Sequence, residues 1–227
     1  DQVPDLEKTL QDLGQIIELR DIDLKRFRRE IKQKPSFQAV PLRFNLSEVE
    51  RARLAVNRFH FPGTEVVARL VRHYPLGPVG VHALGYVGRI NAEEEKRLNA
   101  QEYAGTTHIG KLGVEQAYEA VLHGKAGLQQ VETTAKGRAL RVLGRTPPVA
   151  GENLYLTLDL RLQAAAEGAL GGQRGSVVAI DPKTGEVLAF ASTPGYDPNL
   201  FVNGIDTHDY NALQKDPDKP LINRELA

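Results

Sequence analysis

The chain has 227 residues, with 29 basic and 29 acidic side chains and no Cys, Met or Trp. This length predicts one large or two small domains, and 41% hydrophobic with 26% charged residues is a globular composition, not a disordered one. Zero net charge gives no global attraction toward nucleic acid, and the absence of Cys excludes disulfides, a thiolate nucleophile, Cys-ligated zinc and iron–sulfur clusters.

A chain that begins at Asp1 without Met is expected to have been processed or cut from a longer one. No apolar run reaches the roughly 18 residues of a spanning helix, and no signal-peptide core is present. The first third reads as helical. Leu6, Leu10 and Leu13 recur at helical spacing after Pro4, and Leu24, Phe27 and Ile31 repeat the pattern. Lys25, Arg26, Arg28, Arg29, Lys32 and Lys34 give the second helix a basic face. It reads as a solvated face offset by Asp21, Asp23 and Glu30, with a partner or phosphate contact as the alternative. Pro35 is expected to end this helix, and Val40 to Phe44 to run extended.

Ser47-Glu48-Val49-Glu50 fits a capping box, so a helix is predicted from there to about Arg58. After Pro62-Gly63, the β-branched stretch from Thr64 to Tyr74 predicts a strand. Val79 to Val87 predicts a short helix that Gly85 weakens. Asn91 caps another, reaching about Ala100. Its Glu93 to Glu95 run lies in the first turn, where the macrodipole favours negative charge, an explanation preferred to the alternative of paired catalytic carboxylates.

Gly110, Gly113, Gly124 and Gly127 flank a short helix with Val114, Tyr118, Val121 and Leu122 on one face. Neither the Walker nor the dinucleotide spacing is met, so these glycines read as tight turns and close packing. Val131 to Thr134 and Ala139 to Leu143, joined by a turn at 135–138, predict a hairpin. The Pro147-Pro148 stretch from Gly144 to Gly151 reads as a domain boundary. Beyond it come a strand at Leu154 to Leu158 and a helix capped by Thr157 or Asp159 that runs to about Leu170. A hairpin, Ser176 to Ile180 with Glu186 to Ala191, follows, and then a loop-rich tail.

The six histidines, at 60, 73, 82, 108, 123 and 208, form no His-Glu-x-x-His pattern. Ser36, Ser47, Ser176 and Ser192 lie in no Gly-x-Ser-x-Gly elbow, and none has Lys three residues later. Lys183-Thr184-Gly185 matches one of the boxes of penicillin-recognising enzymes, but it sits in a hairpin turn after Pro182. Gly185 supplying positive φ explains it better than catalysis does.

Several phrases in order nevertheless resemble the class B high-molecular-mass transpeptidases among the penicillin-binding proteins. Arg72-His73-Tyr74-Pro75 and Gly85-Tyr86-Val87-Gly88 look like that family's non-catalytic domain. Ile109 to Glu115, with Tyr118-Glu119 and Leu122-His123-Gly124, is similar to its most recognisable signature. Thr157-Leu158-Asp159 with Gln163, then Val178 to Pro182 and Thr193-Pro194, look like the entry into the transpeptidase domain. Tyr196-Asp197-Pro198-Asn199 and Asn223-Arg224 resemble the elongation-specific branch, penicillin-binding protein 2.

The resemblance implies an α+β fold: an elongated pedestal of mixed helix and small sheet over residues 1–150, of the dimerisation type, and an incomplete strand–helix–hairpin edge of the transpeptidase domain over 151–227. It implies that the parent is a D,D-transpeptidase of D-Ala-D-Ala stem peptides that binds β-lactams, with its serine, lysine and remaining boxes beyond Ala227. On that reading no residue of these 227 is catalytic, and no cofactor or metal is implied. The implied partners are a RodA-like glycan polymerase in the membrane and an MreC-like elongation scaffold. The implied location is the periplasm, with anchorage by an upstream helix. The competing reading is an independent periplasmic scaffold. Residues 151–227 alone are too few to bury a sheet on both faces and are expected to be poorly ordered or to lean on the pedestal.

Overall fold

The structure is a computed structural model that describes residues 3, 5–34, 39–134 and 139–226. It is α+β, with short helices and, among the described residues, three two-stranded sheets. The Cα packing divides it into two units: 1–70 with 131–143, and 71–130 with 144–227.

The first unit opens on α1 (Leu6–Leu13), capped by Asp5, whose carboxylate accepts from the Lys8 amide at 3.0 Å. Helix α2 (Asp21–Gln33) follows, and Leu10, Leu13, Ile17 and Phe27 are buried. The expected helical spacing is therefore present. The basic face differs from expectation: Asp23 and Glu30 point inward and do not offset it from solvent. Asp23, fully buried, takes Arg20 and Arg26 at 3.0 Å each and Arg43 at 3.8 Å. Arg26 also donates to the Leu42 carbonyl and lies over the Phe44 ring. Lys25, Arg29 and Lys32 remain exposed. The expected break at Pro35 lies outside the described residues.

The predicted capping box opens α3 (Glu48–Asn57): the Glu50 amide donates to Ser47 Oγ at 3.2 Å, and Glu50 Oε2 accepts from the Ser47 amide at 2.8 Å. No residue of α3 is buried. The strand predicted over Thr64 to Tyr74 is absent. The chain there belongs to no ladder among the described residues. β-Branched composition favours an extended backbone, but a strand also needs a partner edge.

In the second unit, α4 (Val81–Leu84) precedes β1 (Val87–Arg89), which pairs antiparallel with β2 (His108–Gly110), Val87 opposite Gly110. Asn91 forms a capping box with Glu94, but the helix it starts, α5 (Ala92–Glu95), ends five residues short of the expected Ala100 and passes into turns. Helices α6 (Gly113–Ala117) and α7 (Glu119–Leu122) replace the single helix expected there, with a break at Tyr118. Strands β3 (Leu128–Thr133) and β4 (Ala139–Thr146) form the predicted hairpin, which carries the chain out of this unit and back. The turn expected at 135–138 lies outside the described residues.

The strand expected at Leu154 to Leu158 is also absent. That segment is tied down by isolated bonds, Thr157 Oγ1 to the Val187 carbonyl at 2.7 Å and the Asp159 amide to the Leu188 carbonyl at 2.8 Å. Asp159 caps α8 (Leu160–Ala169) as predicted. Strands β5 (Gly175–Ile180) and β6 (Val187–Thr193) pair antiparallel, and α8 and α4 both pack on β6. The tail is more regular than expected, holding α9 (Asn199–Val202) and α10 (Thr207–Lys215), the latter capped by Asp206. Its core joins Val81, Tyr196 and Phe201, with Tyr86 packed against them.

Candidate functional site

Lys183-Thr184-Gly185 forms an exposed turn. The Lys183 amide donates to Asp181 Oδ1 at 2.7 Å, the Gly185 amide to the Asp181 carbonyl at 2.8 Å, and Gly185 has φ +78°. Turn geometry accounts for all three residues, as the sequence suggested. Ser192 is buried, and its hydroxyl is taken by the Arg224 amide at 3.1 Å and the Ile222 carbonyl at 3.5 Å. Both partners are backbone groups, and neither is a base that would activate it. Among the described residues no group of three His, Asp or Glu side chains could hold a metal.

The polar network of the second unit gathers around Tyr74, which is 6% exposed. Its hydroxyl accepts from the Val87 amide at 2.8 Å and donates to Glu115 Oε1 at 3.1 Å. Arg72 Nε reaches the same Glu115 oxygen at 2.7 Å, and its guanidinium stands over the Tyr74 ring. Burial, and then the Glu115 charge, push the phenol up to about 12, so it remains a donor at neutral pH. Glu115 reaches this place because α6 starts beside β2. A Cβ on Gly110 would lie 2.0 Å from the Glu115 carbonyl oxygen, so only glycine permits that approach.

The Tyr74 backbone is held as well. Its amide donates to Asn199 Oδ1 and its carbonyl accepts from Asn199 Nδ2, both at 2.9 Å. Gln163, 2% exposed, does the same for Phe190: Oε1 accepts from the amide and Nε2 donates to the carbonyl, each at 2.8 Å. Gln163 Nε2 also reaches Glu167 Oε1, which accepts from the Gly80 amide at 2.8 Å. The His82 carbonyl accepts from Asn223 Nδ2 at 3.2 Å, while its ring meets Tyr196 edge-on. Burial, outweighing its contact with the Pro194 carbonyl, holds the His82 imidazole below its ordinary value. Arg72, Tyr74, Glu115, Gln163, Asn199 and Asn223, scattered through the phrases read from the sequence, thus meet in one unit.

This arrangement positions segments. Sequence reading missed the burial of Asp23. The signal was present as Arg20 and Arg26, each three residues away and so on the same helix face.

Two family models match the chain in order: the penicillin-binding protein dimerisation domain over residues 1–156 and the penicillin-binding protein transpeptidase domain over 175–225. The peptidoglycan D,D-transpeptidase MrdA of Escherichia coli K12 is 47% identical over 228 residues, covering 99% of this chain and 36% of that protein. The chain thus spans about a third of the length of the curated relatives it matches. The crystal structure of Pseudomonas aeruginosa PBP2 in complex with WCK 5153 matches at 47% identity and TM-score 0.60, over 70% of this chain and 32% of that one. A complex between PBP2 and MreC from Helicobacter pylori matches at 28% identity and TM-score 0.72, over 98% of this chain and 42% of that one.

Proposed function

The chain belongs to the penicillin-binding proteins, and from that premise we propose that it is the pedestal of a peptidoglycan D,D-transpeptidase joined to the first edge of its catalytic domain. The division falls near residue 150, with 1–150 as pedestal and 151–227 as the transpeptidase edge. The observation that carries this reading is the identity to MrdA over nearly the whole chain, with both family models in the same order.

In the whole protein a serine attacks the carbonyl of the penultimate D-Ala of a stem peptide and expels the terminal D-Ala. The acyl group then passes to an amine of a neighbouring strand. A β-lactam acylates the same serine. These 227 residues contain no Ser-x-x-Lys and no Ser-x-Asn, so their part is support and docking. The protein works in the periplasm during cell elongation, anchored to the inner membrane, beside a RodA-like polymerase and an MreC-like scaffold. The scaffold assignment is supported by the Helicobacter pylori complex, whose PBP2 aligns with 98% of this chain. In the first unit, docking surfaces consistent with this are the exposed Lys25, Arg29 and Lys32 of α2 and the extended stretch bearing Val66, Val67 and Leu70.

Labelling with a fluorescent penicillin tests the reading. The full-length protein is expected to take one label on serine, and the 227-residue chain none. Labelling of the short chain, or no labelling of the full-length protein, overturns it.

A further inference from the structure

We propose that Asn199 is a positioning residue, a latch that fixes the Tyr196–Phe201 segment to Tyr74 and, through Tyr74, to β1 and α6. A carboxamide offers one acceptor and one donor side by side, which is what an extended residue presents to a neighbouring strand. Asn199 gives both to Tyr74, at 2.9 Å each, across 125 residues of sequence. Its orientation is fixed in turn by Asp197, whose Oδ1 accepts from Asn199 Nδ2 at 2.8 Å and from the Asn199 amide at 2.9 Å. Only the nitrogen of the carboxamide can face that carboxylate, so the oxygen must face the Tyr74 amide.

The far side of Tyr74 is equally committed, its hydroxyl to Val87 and Glu115. Moving the Tyr196–Phe201 segment strands two backbone groups of a buried residue at once, so the join holds or opens as a whole. Tyr196 and Phe201, on either side of the latch, carry the same segment into the core with Val81 and Tyr86. Tyr74 lies within the dimerisation-domain match and Asn199 within the transpeptidase match. A shift of the Arg72–Pro75 backbone is therefore delivered to the transpeptidase part at Asn199. The functional half of this inference rests on the transpeptidase reading above.

The test uses the full-length protein, with amide exchange at Tyr74 and the rate of fluorescent-penicillin acylation per folded molecule as readouts. Asn199→Ala is expected to speed Tyr74 exchange at least about tenfold and to slow acylation about tenfold through misplacement of the segment. Asn199→Gln keeps the acceptor and the donor but sets them one methylene further out, so intermediate values are expected; this variant serves if the alanine variant does not fold. Unchanged Tyr74 exchange in both variants removes the latch. Faster exchange with acylation at the wild-type rate reduces Asn199 to a local structural contact and overturns the positioning role. A wild-type protein that takes no penicillin sinks the transpeptidase reading instead, and Tyr74 exchange still decides whether the latch exists.

Discussion

Asp23 lies in the first turn of α2, where the helix dipole favours a carboxylate, and it is fully buried beside three arginines. Burial alone would raise its carboxyl. The hydrogen bond from Arg20 and the charges of Arg20, Arg26 and Arg43 outweigh burial and hold it below the ordinary range. A carboxyl depressed in the folded state stabilises the fold fully above its unfolded value, 3.8, and loses that contribution as the pH falls through the lower folded value. Asp23→Asn is therefore expected to cost about 3 kcal/mol at pH 7, because it removes the buried carboxylate that Arg20, Arg26 and Arg43 face. Urea unfolding from pH 7 downward should show the gap between wild type and variant narrowing only below pH 3.8. A gap independent of pH would mean that the charge is not what matters. Tyr74→Phe strands the Val87 amide and removes one bond to Glu115. It should cost about 1–3 kcal/mol by the same measurement.

Elements whose signals are local were readable in advance. The Ser47–Glu50 box closes within four residues, the β5–β6 turn is set by Asp181 and Gly185, and the α8 cap is Asp159. Elements that depend on a distant partner were not. Thr64 to Tyr74 and Leu154 to Leu158 have strand-like composition, yet among the described residues neither is given an edge to pair with. Conversely, Asn203-Gly204 masked the Asp206 cap that starts α10 two residues later. Two glycines separate close approach from turn geometry. Gly110→Ala would drive a Cβ into the Glu115 backbone and should lower stability by several kcal/mol, since neither β2 nor α6 can yield cheaply. At Gly185 nothing lies within 4 Å, so Gly185→Ala should cost only the roughly 1–2 kcal/mol of a left-handed residue. Denaturant midpoints of the two variants would rank them. In the full-length protein Gly185→Ala should leave penicillin acylation unchanged, as expected of a turn that merely resembles a catalytic box.

At the scale of the whole molecule, the sequence carried the order of the motifs but not their meeting. Tyr74 and Asn199, or His82 and Asn223, are separated by more than a hundred residues, and no periodicity or spacing rule reaches that far. What the chain spends on those long-range bonds it withholds from the segment just before them. From Glu65 to His73 no backbone amide has an acceptor among the described residues, and Leu70 and Val67 stand exposed. Cooperative opening follows local hydrogen bonding and burial. Amides from Glu65 to His73 should therefore exchange first, and those of Tyr74, Val87 and Phe190, each held by a side chain or ladder, among the last. Time-resolved hydrogen exchange of the full-length protein would show this as a step between His73 and Tyr74. Repeating it with an MreC-type scaffold present asks a sharper question of the same residues. An apolar extended segment that lacks only a partner edge should gain protection when such a partner docks there, while Tyr74, already paired, should change little. Protection gained elsewhere, with Glu65 to His73 still open, would move the docking surface off this segment.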